Sequence, residues 1–299
     1  MIDYKLLAAL SAVIEQGGFE RAAQALNLSQ SAVSQRIKLL EARVGQPVLV
    51  RVSPPVPTPV GMRLLNHVQQ VRLLERDLLN QVPSLNDDGL PDRLRIALNA
   101  DSLATWWAAA VGDFCSTQRL LLDLVVEDQE VALKRMRAGE VAACLCASER
   151  PVAGARSVLL GTMLYRAVAS PSFVAKHFAE GVTVEALERT PAVVFGPDDS
   201  LQHRYMASLQ ATGGFEYHLC PSSEGFIRMT EAGIGWGLIP QLQIEAQLAS
   251  GVLVELFADK PLAVPLYWHH WRNGGELLAS LTAHLREVAP RWLTQDCSA

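Results

Sequence analysis

A chain of 299 residues, 49 % apolar and 19 % charged, is long enough for two or three domains and has the apolar content of full cores. No window reaches the ~18 uninterrupted apolar residues of a membrane helix. The five cysteines are odd in number and scattered, poor material for a disulfide framework and suited to a reducing compartment. The net charge of −5 argues against a nucleic-acid partner only until its distribution is read. Residues 20–65 hold Arg21, Arg36, Lys38, Arg43, Arg51 and Arg63 against Glu20 and Glu41, a net +4 that leaves −9 for the rest.

The N-terminal stretch MIDYKLLAALSAVIEQGGF has no basic n-region and no small-residue cleavage site, so the expected compartment is the cytoplasm. Leu6, Leu7, Leu10, Val13 and Ile14 recur at helical spacing over residues 3–15 and stop at Gly17-Gly18. Phe19, Ala22, Ala23 and Leu26 make a second short stripe, and Val33, Ile37 and Leu40 a third. Between these two, Asn27 can close a helix in the left-handed conformation and Ser29 can cap the next one. Two short helices joined by about three residues form a helix-turn-helix. After Gly45, PVLVRVSPPVPTP is a short β-like run that ends in prolines, as a small two-stranded wing does.

Residues 60–82 carry Leu64, Val68, Val71, Leu74 and Leu78 at roughly heptad spacing. One helix with one apolar seam wants a partner helix, and the expected partner is the same helix of a second copy, with the chain's own body as the alternative cover. SLNDDGLPD, residues 84–92, is the clearest linker. From Leu94 the pattern alternates. Strands are expected at LRIALNA, LLDLVVE, AACLCAS, YRAVAS, AVVFG, GLIP and PLYWHHW, with helices at 102–116, 129–138, 199–211 and 223–232. This is an α/β domain with a mostly parallel sheet and ligands at the carboxyl ends of strands. FGPDDS and the drop in pattern near Gly161 divide it into two lobes.

If Val33, Ile37 and Leu40 face inward, Gln30, Ser31, Ser34, Gln35 and Lys38 face outward. Gln and Ser can read base edges in a major groove, while Arg36, Lys38 and the amides at the helix start can hold phosphates. Ser29 at the cap and Arg51 on the wing complete the DNA-binding set. A solvated polar face is the simpler reading of this helix alone; the basic cluster, the wing and the long helix together favour DNA. Other chemistry is weak. Cys144 and Cys146 point to one face of a strand with no second ligand pair nearby and read as core residues. His269 and His270 point to opposite strand faces and chelate poorly. GIGWG runs into Leu-Ile-Pro and so reads as a helix end turning into a strand, and Trp106-Trp107 reads as core packing.

The run FERAAQALNLSQSAVSQRIKLLEARVGQPVLVR, with its AxxLxxSQSAVSxxIxxLE pattern, and the late AGIGWGLIP resemble LysR-type transcriptional regulators over essentially the whole chain. QSAVSQRIKxLE, RVSPPVPT, NADSLATW, VED, SSEGF and LYWHxW are similar to the ArgP-like subgroup, which responds to arginine and lysine. Thr58 is followed by Pro59-Val60-Gly61 where many family members have AG, a small departure. The resemblance implies a winged helix-turn-helix over 1–59, a dimerisation helix over 60–83, a hinge over 84–92 and a periplasmic-binding-protein-like effector domain over 93–299. Its lobe I would comprise 93–162 and 266–299, and its lobe II 163–265.

It further implies a small-molecule effector, lysine or arginine, between the lobes and no resident cofactor. Carried over by position, the effector lining is Asn99, Asp101 and Ser102 after the first strand, Glu127 and Asp128 after the second and Ser148 after the third. Ser222, Ser223 and Glu224 open a helix of the second lobe. Ser102 and Ser223 sit where helices start, and exposed amides there attract a carboxylate. Asp101, Glu127, Asp128, Asp198, Asp199 and Glu224 are the acids on candidate cleft loops, and spacing does not say which takes the cationic groups. The implied partners are double-stranded promoter DNA, a second copy through residues 60–82, a tetramer built from such dimers, and RNA polymerase. An amino-acid receptor without DNA function is the competing class and leaves residues 1–82 unexplained. No Ser–His–acid spacing, activated cysteine or metal motif supports an enzyme.

Overall fold

The computed structural model describes residues 3–81, 92–127 and 129–295. Helix α1 (Tyr4–Glu15) begins at Asp3, whose carboxylate accepts the Lys5 amide at 3.0 Å. It buries Leu6, Leu7, Leu10 and Val13, each worth about 1.5–3 kcal/mol when removed from water. Helix α2 (Phe19–Ala25) buries Ala22 and Ala23, and Asn27 follows it at φ +52°. Ser29 then caps α3 (Gln30–Val44), its hydroxyl accepting the Ala32 amide at 3.2 Å. Val33, Ile37 and Leu40 face the core, and α3 ends at Gly45 in the left-handed conformation. The wing is β1 (Leu49–Val50) paired antiparallel with β2 (Val56–Pro57).

Thr58 starts the long helix α4 (Pro59–Gln81), donating to the Pro47 carbonyl at 2.8 Å and accepting the Gly61 amide at 3.1 Å. Gly61 is demanded by close approach, since a Cβ there would lie 1.9 Å from the Val48 carbonyl oxygen. Here the structure differs from the single intermolecular seam expected of α4. Val68 is buried in the N-terminal core with Leu64 and Leu65 packed beside it. Tyr4 bonds His67 at 3.0 Å and Arg72 pairs with Glu15 at 2.8 Å. Leu74, in contrast, is 51 % exposed. Heptad spacing marks one face of a helix but not whose surface covers it, and α1 covers the first half. Leu78's side chain and the expected hinge, up to residue 91, lie outside the described residues.

The second unit opens with β3 (Asp92–Leu98), α5 (Ala100–Ser102), a π turn (Leu103–Trp107) and α6 (Ala108–Thr117). Strand β4 (Leu120–Val126), α7 (Gln129–Ala138), β5 (Ala143–Cys146) and the long β6 (Ala155–Ala169) follow. The other lobe holds α8 (Pro171–His177), α9 (Val184–Glu188), β7 (Ala192–Val194), α10 (Leu201–Ser208) and β8 (Tyr217–Leu219). It continues through α11 (Ser223–Glu231), β9 (Gly237–Pro240), α12 (Gln241–Ser250) and β10 (Val254–Glu255). Strand β11 (Leu262–Trp271) and α13 (Gly275–Val288) lead back.

The main sheet runs β10-β6-β11-β5-β3-β4, with β9 also on β6, and β7 and β8 form a small parallel pair. The expectation of a mostly parallel sheet is corrected. Only β3–β4 and β3–β5 are parallel in the main sheet, whereas every pairing of β6 and of β11 is antiparallel. Period-two patterns give strands but no direction. Strand β6 also starts ten residues before the expected YRAVAS, because it passes through the Gly161 break and does not end there. At that point Gly161 has φ +143°, a Cβ would lie 2.6 Å from Leu293 Cβ, and the β6–β11 register shifts between Leu266 and Tyr267. Two strands thus run through both lobes.

The core of this unit holds Trp106, Trp107, Trp236 and Trp268, all essentially inaccessible. The Trp268 indole donates to Thr282 Oγ1 at 2.9 Å. A satellite core buries Cys144 and Cys146 with Ala132, Met136 and Val152. His269 is buried with Nε2 2.7 Å from the Ser148 carbonyl, and His270 is half-buried on the other face. The two units meet where Asn66 of α4 donates to the Ala138 carbonyl at 2.8 Å, closing the end of α7. Helix α4 also packs on α13.

Candidate DNA-reading face and effector cleft

The three buried residues of α3 leave Gln30, Ser31, Gln35 and Lys38 exposed and Ser34 and Arg36 half-buried. Gln30, Ser31 and Ser34 line one shallow depression of about 380 Å³ together with Phe19 and the wing residue Arg51. Helix and wing are therefore one surface. Ser29 is exposed but its hydroxyl is occupied, accepting the Ala32 amide and lying 2.9 Å from Ser31 Oγ. It fixes the helix start, and the positive end of the helix dipole faces outward there. Glu41 is turned to the wing: one oxygen accepts the Val48 amide at 3.1 Å and the other lies 3.7 Å from Arg51. The one carboxylate of α3 thus steadies Arg51 and leaves Arg36 and Lys38 to offer positive charge.

In the α/β unit, Asn99 ends β3 and precedes α5, and its Oδ1 is buried without a hydrogen-bond partner. Ser102 is fully buried and its Oγ is also unpartnered. Between them, Asp101 Oδ2 accepts the Tyr165 hydroxyl at 2.6 Å. Burial pushes the Asp101 carboxyl up to about 6; the Tyr165 hydrogen bond opposes this and the nearby Asp199 charge adds to it. Thr105 Oγ1 donates to the Asp101 carbonyl at 2.6 Å inside the π turn, a helical defect common at functional sites. Asp199 keeps its position through both oxygens, accepting Phe195 N at 3.2 Å and Leu201 N at 2.9 Å. Asp198 is exposed.

The remaining expected lining residues have local partners. Glu127 is clamped by Arg135, whose Nε donates to it at 2.7 Å while Nη1 donates to Glu140 at 2.7 Å. Asp128 lies outside the described residues. Ser148 is half-buried and holds His269 through its carbonyl. Ser222 caps α11 by accepting the Gly225 amide at 3.1 Å, Ser223 is half-buried in its first turn, and the exposed Glu224 pairs with Arg228 one turn on. The structure therefore joins Asp101 to Tyr165, with the Asp199 charge acting on it, and leaves Asn99 and Ser102 beside Asp101 in the chain with unpartnered oxygens. Sequence reading missed Tyr165, which stands in the apolar run YRAVA where a buried tyrosine carries no signal that its hydroxyl has a task. It also missed Arg204 of α10, whose positive charge acts on Tyr165.

A winged helix-turn-helix fused through a long helix to a two-lobed α/β unit with a buried carboxylate between the lobes defines a ligand-responsive DNA-binding regulator. Residues 4–62 match the bacterial regulatory helix-turn-helix protein, lysR family, and residues 87–290 match the LysR substrate binding domain. The HTH-type transcriptional regulator ArgP of Pseudomonas fluorescens strain Pf-5 is 74 % identical over 293 residues, 98 % of each chain. The crystal structure of ArgP from Mycobacterium tuberculosis superposes with a TM-score of 0.81 at 36 % identity, covering 99 % of this chain and 100 % of that one. Full-length LysG from Corynebacterium glutamicum with bound effector Arg superposes with a TM-score of 0.69 at 33 % identity, covering 98 % and 100 %. The chain belongs to the LysR family: it is a DNA-binding transcriptional regulator and not an enzyme.

Proposed function

We propose that this regulator binds promoter DNA through Gln30, Ser31, Ser34, Gln35, Arg36, Lys38 and Arg51, with Ser29 setting the helix start, and that lysine or arginine bound between the lobes modulates that binding. The observation that carries the effector reading is the buried Asp101 carboxylate, held by Tyr165, with unpartnered oxygens on the neighbouring Asn99 and Ser102. A guanidinium or ammonium group brings donors and positive charge to such a site. The likeness to LysG, which was solved with arginine, supports the same class. Asn99, Ser102 and Asp101 are assigned to the cationic end. Ser222 and Ser223 at the start of α11 suit the α-carboxylate, and Ser148, Glu127, Asp128 and Glu224 form the outer lining.

The functional unit we assign is a homodimer through residues 60–82, for which Leu74 is an exposed seam residue and Val71 a half-buried one. The open edges of β4, with exposed Leu121 and Val126, and of β8, with exposed Tyr217 and Leu219, support a second contact that builds tetramers. The cytoplasm is the compartment where promoter DNA and RNA polymerase, the further partner, are met; no helix among the described residues is long and apolar enough to cross a membrane. The test is an anisotropy titration against the promoter region beside this gene, with salt varied and L-lysine or L-arginine added. Specific affinity should fall steeply with salt and change with one amino acid. Gln35→Ala should cost about 1–3 kcal/mol on the specific duplex and much less on random DNA. Salt-insensitive binding, or indifference to both amino acids, overturns the corresponding half of the reading.

A further inference from the structure

The hydrogen bond between Tyr165 and Asp101 joins the two lobes. Asp101 stands at the carboxyl end of β3 in the first lobe. Tyr165 lies on β6 beyond the Gly161 crossing, paired with Pro240 of β9 and Leu262 of β11, in the second. Tyr165 is 1 % exposed, so its hydroxyl has no solvent alternative to the carboxylate. The groups facing this pair are few. Asp199 presents its charge from the segment before α10, and Arg204 of α10 acts on the phenol. Asp199 cannot turn away, because two backbone amides hold it. Arg166, the neighbour of Tyr165 on β6, lies on the other face of the strand with Gln241 and Glu255. The phenol thus meets one carboxylate directly and feels the charge of a second, and burial raises the cost of the Asp101 charge.

We propose that Tyr165 is a positioning residue that presents Asp101 to the cationic group of the effector, and that capture of this cation is coupled to loss of the proton from Asp101. The proposal rests on the basic-amino-acid reading given above. A cation beside Asp101 favours the ionised carboxylate, so the site must give up any proton it holds in order to bind, and binding weakens as acid restores that proton. The phenol donates to the carboxylate in its ionised form. Without it, Asp101 holds its proton to a higher pH. The bond also gives the cation a lever on the lobes, since whatever draws on Asp101 draws on the strand that carries Tyr165.

The test is isothermal calorimetry of the full-length protein with L-arginine and L-lysine from pH 5 to 8, in buffers of different ionisation enthalpy. With Asp101 titrating near 6, affinity should fall about tenfold between pH 7.5 and 5, with about half a proton released per ligand at pH 6. Tyr165→Phe should move the midpoint of this profile upward, weakening binding several-fold at pH 6 while leaving it near wild type at pH 8. A purely structural role would weaken binding equally at every pH. Asp101→Asn should abolish both proton release and pH dependence. Cooperative unfolding followed by circular dichroism establishes that both near-isosteric variants fold. If either amino acid binds wild type with flat pH dependence and no buffer-dependent heat, this proposal fails while the effector reading stands. If neither binds at pH 8, both fall.

Discussion

The DNA-reading head and the cleft handle their polar groups in opposite ways. In the head, hydroxyls and carboxylates at element ends are used up: Ser29 caps α3, Thr58 caps α4, and Glu41 holds the wing. What remains unpartnered is on the surface, where water serves it at no cost. In the cleft, Asn99 Oδ1 and Ser102 Oγ are buried without partners, and Asp101 is held in surroundings that penalise its charge. A buried polar atom without a partner costs about 1–3 kcal/mol. A reader of this kind is finished before DNA arrives, whereas the Asp101 site, on the reading proposed above, is completed only by its ligand. Stability and responsiveness are therefore built into different halves of one chain.

The strongest way to break this comparison is to damage the finished half. Gly61→Ala places a Cβ against the Val48 carbonyl, which belongs to backbone and cannot swing aside. Helix α4 would have to move off the wing, and we expect a loss of about 3 kcal/mol or more, read by thermal unfolding, with specific DNA binding lost alongside. Gly112→Ala, where the added methyl meets open space, serves as the neutral control. Unfolding of Gly61→Ala at the wild-type temperature would show that the joint is soft.

The next test addresses the strained half through its pH dependence. Asp101 binds its proton more tightly in the folded state, near 6, than at its ordinary value of 3.8. Its contribution to stability is therefore fully present below about pH 4 and is lost as the pH rises through about 6. At pH 7.5 the ionised carboxylate costs on the order of 2 kcal/mol. Asp101→Asn keeps an acceptor for Tyr165 and removes that charge. It should raise the melting temperature of the effector-free protein by about 2–6 °C at pH 7.5 and leave it unchanged near pH 3, below the ordinary value of the carboxyl. An equal shift at both values would mean that the charge is not what strains the site.

The two halves were also unequally legible. The head could be read from sequence because its signals are local. Asn27 in the left-handed region, Ser29 as cap, Gly45 as terminator and the inward set Val33, Ile37 and Leu40 each act within one turn of chain. Helix α13 is just as local, with Leu277, Leu278, Leu281 and Leu285 on one face, and it was overlooked, not hidden. The Asp101 centre is different in kind. Its members come from the end of β3, from β6 and from the approach to α10, and only the continuation of β6 past Gly161, beside β11, brings Tyr165 to Asp101 across 64 positions of sequence. Strand order and the unbroken run of β6, which the period-two pattern does not carry, decide that meeting. The fate of α4's seam was undecidable for the same reason, since Leu64 and Val68 are matched by surfaces elsewhere in the chain.

The smallest effect separates the centre of the cleft from its rim. Glu224 and Asp101 are both acids on candidate cleft loops, but their surroundings differ. The Glu224 side chain is 76 % exposed and meets Arg228 on the helix surface, while the Asp101 carboxylate is enclosed and tied to Tyr165. An exposed pair one helical turn apart contributes about 0.3–0.5 kcal/mol, and a surface carboxylate attracts a distant cation only through screened charge. Glu224→Gln should therefore shift the melting temperature by less than about 1 °C. It should weaken lysine or arginine binding less than about threefold, and that loss should vanish at high salt, where the Debye length is short. A loss that survives high salt and matches that of Asp101→Asn would place Glu224 in direct contact with the effector, at the expense of its pairing with Arg228.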